Sequence, residues 1–127
     1  ATARHRARAL AQLVACDIHP LGNLRVLQFL EHAWSLDQAQ RAQWIERWIG
    51  DGLAAFEVLL ARAPQTGAFC IGDAPTIADC ALVPQLYNAR RFGVSLDAFP
   101  RIRAIEAACL ALPAFDAARP EAQPDAA

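Results

Sequence analysis

The sequence predicts an all-α fold, a helical bundle of about five helices. Alanine, the strongest intrinsic helix former, supplies 29 of the 127 residues. Hydrophobic residues make up 55% of the chain, and they recur at spacings of three and four, the period of an amphipathic helix. No segment alternates apolar and polar residues in the way that a half-buried strand does. A chain of this length and apolar content suits one compact domain.

The first helical stretch covers residues 10–30, where leucine and valine side chains keep the helical spacing. Pro20 lies inside this stretch. Because proline lacks the backbone N–H that would donate to the preceding turn, it bends or ends a helix. We therefore expect a bend or break at Pro20.

The second helix is predicted to begin at Ser35 or Asp37. Residues 35–38 (SLDQ) match a capping box, in which a side-chain oxygen and an amide satisfy each other's free backbone donors. A strong apolar stripe then follows from Trp44 to Leu60. This stripe predicts an amphipathic helix of roughly six turns.

Two further helices are predicted in the second half of the chain. One begins after Thr76 and runs towards Arg91, with Pro84 as a possible kink inside it. The other begins at Pro100, because proline is well suited to the first turn of a helix, and ends near Pro113. We expect residues 1–119 to form the helical domain and residues 120–127 to form an extended, polar C-terminal tail.

The charge pattern excludes several classes of partner. The net charge is −1 and all 12 positive charges are arginines, so no basic stripe for nucleic acid and no polybasic membrane patch is present in the sequence. No apolar run reaches the ~20 residues of a membrane span, and no signal peptide opens the chain. These observations favour a cytoplasmic domain that binds neither nucleic acid nor membranes.

Cysteine spacing gives no indication of a metal site. Cys16, Cys70, Cys80 and Cys109 form no Cys-x-x-Cys pair and have no histidine at zinc-ligand spacing. Cys16, Cys80 and Cys109 lie among apolar residues in helical patterns. We expect them to be buried, reduced thiols that behave as small hydrophobic side chains.

The sharpest local motif is Thr76-x-x-Asp79 at the start of the third predicted helix. The Asp79 carboxylate can accept a hydrogen bond from the Thr76 backbone N–H while the Thr76 hydroxyl caps the helix. Apolar residues follow directly, so this helix start is expected to be buried. We interpret Thr76 and Asp79 as structural residues, not as catalytic ones.

A polar cluster surrounds Pro20. His19 and Asn23 are four residues apart, so on a continuous helix they would share one face and could hold a common ligand. Arg25 would point about 120° away from His19 on that helix. Spacing alone leaves two interpretations open, namely a ligand site and polar residues on the surface of a helix end.

A second polar cluster, residues 87–92 (YNARRF), ends the helix that begins after Thr76. Adjacent arginines at this position could complement the negative end of the helix dipole. Alternatively, one guanidinium could hold a carboxylate through two parallel hydrogen bonds. The spacing does not distinguish these two roles for Arg90 and Arg91.

At these clusters the chain resembles the C-terminal helical domain of the zeta-class glutathione transferases, the maleylacetoacetate and maleylpyruvate isomerases. The Thr-x-x-Asp motif is shared across many glutathione-transferase classes, whereas the other segments are specific to zeta. The segments that carry the resemblance extend over nearly the whole chain: residues 15–21 (ACDIHPL), 23–27 (NLRVL), 69–79 (FCIGDAPTIAD), 82–92 (LVPQLYNARRF), 112–115 and 120–125.

The resemblance implies a homodimeric enzyme whose N-terminal thioredoxin-like domain, absent from this chain, activates glutathione. Glutathione would be the cofactor of a cis–trans isomerisation of a small cis-enedione diacid in aromatic catabolism. It implies that His19, Asn23, Leu24 and Arg25 bind glutathione. Arg91 would hold a substrate carboxylate, and Arg25 and Arg91 would stabilise enolate charge. Arg90 matches a variable position and is expected in solvent.

Two other functions remain open at this stage. A generic glutathione-conjugating transferase would share the fold and the cofactor but would act on other electrophiles. A solitary helical domain could instead serve dimerisation or binding without catalysis. A thioredoxin-like half preceding Ala1 in the encoded protein would favour an enzyme over the solitary domain.

Overall fold

The computed structural model describes residues 2–126, within which every regular element is helical. Five α-helices of ten or more residues and one short helix confirm the predicted all-α bundle in this part of the chain. No helix among these residues is long and apolar enough to cross a bilayer. The α-helices are α1 (Ala3–Gln12), α2 (Leu24–Trp34), α3 (Gln38–Arg62), α4 (Ile77–Arg91), α5 (Pro100–Leu110) and α6 (Pro113–Ala117).

The 25-residue helix α3 forms the centre of the core. Its buried face has the spacing that the sequence predicts, and it packs against α5 and the segment between α1 and α2. The start of α1 lies beside the end of α3, where Arg6 Nη2 donates to the Leu59 carbonyl at 2.5 Å. The buried side chains of α3 are Ile45, Ile49, Leu53, Phe56 and Leu60.

The expected break near Pro20 is present. A π-helical segment (Leu13–Ile18) and a 3-10 turn (His19–Gly22) follow α1, and Asn23 adopts an extended backbone before α2 begins. Trp44 of α3 supports this turn, because its Nε1–H donates to the Leu21 carbonyl at 2.7 Å. The predicted single helical stretch is therefore two helices joined by a tight, supported turn.

Helix α3 begins at Asp37, the later of the two predicted starts. Asp37 is the capping residue and forms a capping box with Gln40, with N–O distances of 2.8 and 2.9 Å. Ser35 instead ends α2 in the left-handed conformation, with φ of 55°. The capping box predicted over residues 35–38 is wrong, because Ser35 belongs to the end of the preceding helix.

Helices α4 and α5 begin as expected. Helix α4 continues through Pro84, and Pro100 is the first residue of α5. The side chain of Glu57, on α3, caps α5 by accepting from the Arg101 and Ile102 N–H groups, both at 3.0 Å. This carboxylate sits at the positive end of the α5 dipole, where negative charge is stabilising.

The C-terminal tail is not extended throughout. Residues Pro120–Ala122 form a 3-10 turn, flanked by extended backbone at Arg119 and Gln123. The Tyr87 hydroxyl donates to Glu121 Oε1 at 2.8 Å and so joins this turn to α4. The expectation of an extended tail is wrong over the turn, because local hydrogen bonds and this contact fold it back onto the domain.

Candidate functional site

The start of α4 contains the capping box predicted from Thr76 and Asp79. The Thr76 N–H donates to Asp79 Oδ2 at 2.7 Å, and the Thr76 hydroxyl accepts from the Ala78 N–H at 3.2 Å. Asp79 is fully buried, and its Oδ1 also accepts from the Cys70 N–H at 2.9 Å. Every oxygen of this carboxylate is thus occupied by the protein itself, which leaves none for a ligand.

The four cysteines are free, and only two of them are buried. The predicted burial is correct for Cys109 but wrong for Cys16 and Cys80, which face solvent because they lie on the outward sides of the π segment and of α4. Burial, reinforced by the nearby Asp79 charge, raises the pKa of Cys109 to about 12 and that of Cys70 well above its usual range. Within residues 2–126 no three His, Cys, Asp or Glu side chains converge as metal ligands would.

The segment from His19 to Arg25 forms an exposed polar corner at the start of α2. Asn23 is the capping residue of α2, and its Oδ1 accepts from the Arg25 N–H at 3.2 Å. His19 and Arg25 are exposed, and the Leu24 side chain is 67% exposed. The expectation that His19 and Asn23 share one helix face is wrong, because the helix ends between them.

This corner, which we call the donor corner (His19, Asn23, Leu24 and Arg25), suits an anionic, amide-containing ligand. The Arg25 guanidinium takes part in no ion pair within the described residues, and the Asn23 amide nitrogen remains available because the cap uses its oxygen. The free N–H groups at the start of α2 add positive potential. Together these groups can bind a carboxylate and hydrogen-bond to a peptide.

The two arginines at the end of α4 have different environments. Arg90 forms a bidentate ion pair with Glu106 of α5, whose residue is only 6% exposed. The expectation that Arg90 lies in solvent is confirmed, since its side chain is 52% exposed, and the ion pair with buried Glu106 is an additional contact. Hydrogen bonding to Glu106 raises the pKa of Arg90 further above its ordinary value. Arg91 is exposed and belongs to none of the ion pairs found in the described part of the chain, so its guanidinium is available to a carboxylate ligand.

Two clefts open on the surface, and the predicted ligand-binding residues line neither of them. One, of about 510 Å³, lies between the end of α3 and α5; the other, of about 450 Å³, lies between α4, α5, α6 and the tail. No hydrogen bond or ion pair within residues 2–126 joins Arg91 to the donor corner. The donor corner and Arg91 are therefore two separate groups of exposed polar side chains, and both lie outside the two clefts.

Sequence reasoning missed two acidic residues that organise the surface around Arg91. Glu106 is the buried partner of Arg90, and Glu121 is the tail partner of Tyr87. A signal for Glu106 exists in the sequence, since it follows Ile105 on the apolar side of α5 and a carboxylate there needs a partner. No local pattern marks Glu121.

The helical bundle combines a buried capping box at the start of α4 with an exposed polar corner at the start of α2. The family model for the glutathione S-transferase C-terminal domain matches residues 42–108, more than half of the chain. The chain therefore belongs to the glutathione S-transferase C-terminal domain family.

Its relatives include zeta-class isomerases. The maleylpyruvate isomerase of a Ralstonia species is 50% identical over 127 residues, which are 100% of this chain and 60% of that protein. The holo structure of a bacterial zeta-class maleylpyruvate isomerase superposes with a TM-score of 0.95 at 51% identity, covering 98% of this chain and 58% of that one. Maleylacetoacetate isomerase of Methylobacterium extorquens, with bound malonate and glutathione, gives a TM-score of 0.94 at 38% identity, covering 98% and 58%. The chain thus spans about three fifths of these relatives, and the predicted similarity to the zeta class is confirmed.

Proposed function

We propose that this chain is the C-terminal helical domain of a glutathione-dependent isomerase that converts maleylpyruvate or maleylacetoacetate to the fumaryl product. The observation that carries the proposal is the exposed donor corner, present in a chain that is 50% identical over its whole length to a maleylpyruvate isomerase. Arg91 lies on a separate helix, takes part in no ion pair within residues 2–126, and supplies a second anion-binding group. Binding a diacid substrate together with an anionic cofactor requires two anion-binding groups, and the donor corner and Arg91 provide them.

The residues of the donor corner fit glutathione. This tripeptide carries two carboxylates and two peptide groups, and the corner offers a guanidinium at Arg25, an amide at Asn23 and an imidazole at His19. Exposed Leu24 adds apolar contact beside them. When bound, glutathione supplies a thiolate that can add reversibly to a conjugated double bond and so permit rotation about it.

Arg91 is suited to bind a carboxylate of the diacid. Its planar guanidinium can donate two parallel hydrogen bonds to one carboxylate, a geometry that lysine lacks. Arg25 and Arg91 both add positive charge on the exposed surface, where it can stabilise the negative charge that develops on the carbonyl oxygens of the substrate. These residues bind and orient the substrate, and they are not proposed to transfer protons.

The same proposal includes two protein surfaces that cover this chain. Helix α2 exposes Leu24, Phe29 and Trp34, which are 67%, 57% and 64% accessible. An apolar surface of this kind favours burial against another protein surface. We assign it to a homodimer contact, with a thioredoxin-like domain of the same protein completing the ligand site. The cytoplasm suits this assignment, because free thiols and glutathione stay reduced there.

The test is a steady-state assay of the complete protein with glutathione and each of the two maleyl substrates. We expect Arg91→Ala to raise KM for the diacid by about tenfold or more, the effect of losing a hydrogen bond between charged groups, with little change in KM for glutathione. His19→Ala should weaken glutathione binding and leave the pH profile unchanged. Arg62→Ala is the matched control, since Arg62 is also an exposed arginine in the last turn of a helix.

Three outcomes would contradict the proposal. Equal effects of Arg91→Ala on KM for the diacid and on KM for glutathione would exclude the carboxylate clamp, the proposed binding of a substrate carboxylate by Arg91. Loss of the acidic limb of the pH profile in His19→Ala would give His19 an acid–base role instead. Activity towards electrophilic aromatic chlorides without isomerase activity would identify a conjugating transferase.

A further inference from the structure

A carboxylate of the C-terminal tail, that of Glu121, is hydrogen-bonded to Tyr87, which lies one helical turn from Arg91. The Tyr87 hydroxyl donates to Glu121 Oε1 at 2.8 Å, and both residues belong to the exposed surface. Tyr87 remains 41% accessible in spite of this contact. The hydrogen bond is therefore one that water or a ligand can reach and replace.

Tyr87 and Arg91 share one face of α4. They are four residues apart on a continuous helix, so their side chains are neighbours. The hydrogen bond to Glu121 is the main reason that the pKa of Tyr87 is raised, and the positive charge of Arg91 acts in the opposite direction. The hydroxyl thus lies within the electrostatic field of the Arg91 guanidinium.

We propose that Tyr87 is a second carboxylate-binding residue beside Arg91, and that Glu121 occupies its hydroxyl until a diacid displaces the tail. This inference rests on the proposed role of Arg91. The ligand class is a short dicarboxylate, of which one carboxylate accepts from both the guanidinium and the phenolic hydroxyl. Glu121 is then an internal competitor that has the same functional group as the ligand.

The competition has a defined thermodynamic consequence. If the tail must leave Tyr87 before the diacid binds fully, the apparent affinity is reduced by the fraction of molecules in which the tail is already released. Removing Glu121 raises that fraction and tightens binding. Removing the Tyr87 hydroxyl deletes a donor to the diacid and weakens binding. The two changes break the same hydrogen bond but shift the affinity in opposite directions.

The experiment measures malonate binding to the complete, glutathione-loaded protein by titration calorimetry. We expect Tyr87→Phe to weaken malonate binding by about tenfold, the effect of one hydrogen bond to a charged group. Glu121→Ala should tighten binding by about threefold or more, because the internal competitor is gone. Asp125→Ala is the matched control, since it removes one negative charge from the same exposed tail without touching Tyr87.

Shifts of Tyr87→Phe and Glu121→Ala in the same direction would overturn the inference, because a tail contact that only supports the fold predicts equal effects of both variants. An effect of Asp125→Ala as large as that of Glu121→Ala would also overturn it, since general charge would then explain the result. Arg91→Ala separates the two proposals. If it leaves malonate binding intact, the carboxylate clamp itself has failed. If it abolishes binding while Tyr87→Phe has no effect, only the present inference has failed.

Discussion

Gly52 lies where Ile18 of the π segment packs against α3, and it offers a direct test of how the fold positions the donor corner. A Cβ added at Gly52 would stand 2.7 Å from Ile18 Cδ1 and nearer still to Cγ1. Favourable contacts between carbon atoms need about 3.5–4.0 Å. Gly50, also inside α3, has open space around the corresponding position. The two glycines therefore form a matched pair.

The expected effects have opposite signs. Alanine is better than glycine inside a helix by roughly 1 kcal/mol, so Gly50→Ala should stabilise the protein by up to that amount. At Gly52 the same gain is offset by overpacking, which costs roughly 1–3 kcal/mol in a packed core. We expect Gly52→Ala to be less stable than Gly50→Ala by about 2 kcal/mol. His19 follows Ile18 directly in the chain, so a displacement of Ile18 also displaces His19. Gly52→Ala should therefore also weaken the proposed binding of glutathione.

The assay is urea unfolding of the complete protein, followed by circular dichroism at 222 nm at one fixed protein concentration, together with a glutathione titration. The double variant Ile18→Ala/Gly52→Ala should be less destabilised than the sum of its single changes, because the shortened side chain makes room for the new Cβ. Equal stabilisation by Gly50→Ala and Gly52→Ala, with unchanged glutathione affinity, would refute the reasoning.

Other predictions concern buried polar groups. Asp79→Ala should lower the free energy of unfolding by about 4 kcal/mol, since it leaves buried donors without an acceptor; a loss below about 1 kcal/mol in urea titration would contradict this. Because the folded-state pKa of Cys109 is raised from 9.0 to about 12, the stabilising contribution of its protonated thiol is complete below pH 9 and is lost as the pH rises towards 12. Unfolding measured from pH 8 to 11 should show this decline, and Cys109→Ala should reduce it. Iodoacetamide with peptide mapping should label Cys16 in the folded protein and Cys109 only after denaturation. Arg90→Ala should destabilise the protein by about 2 kcal/mol, because buried Glu106 loses its partner; the double variant with Glu106→Gln should recover part of that loss, and no recovery would argue against the pairing.

The helices could be predicted because their determinants are local. The stripe of α3 and the capping box of Thr76 and Asp79 depend on residues three and four apart, which the sequence displays directly. The cap of α5 could not be predicted. The capping carboxylate belongs to Glu57, which accepts from the N–H of Arg101, 44 residues later in the chain. No local sequence pattern indicates such a contact.

The composition of the donor corner could be read from the sequence, but its geometry could not. Residues 19–25 are contiguous, so any fold keeps them close together. Their directions relative to one another depend on the 3-10 turn His19–Gly22 and on the extended Asn23. Their direction relative to α1 depends on the π segment, and nothing in residues 13–18 distinguishes a π turn from an α turn. The same lack of a local signal for the π segment explains why the prediction that Cys16 is buried is wrong. At the end of α4, the roles of Arg90 and Arg91 depended on which one faces Glu106 of another helix.

The direction in which the donor corner points depends on the number of residues in the π segment Leu13–Ile18, and not only on which residues the corner contains. A π turn holds more residues than an α turn, and each residue of an α-helix advances the chain by about 100°. Deleting one residue between 13 and 18 would convert the segment towards α geometry and rotate everything that follows relative to α1. The side chains of the donor corner would then point in a different direction from α1, although none of these residues had been replaced. A relative that lacks one residue in this segment is therefore expected to present the residues equivalent to the donor corner in a different direction.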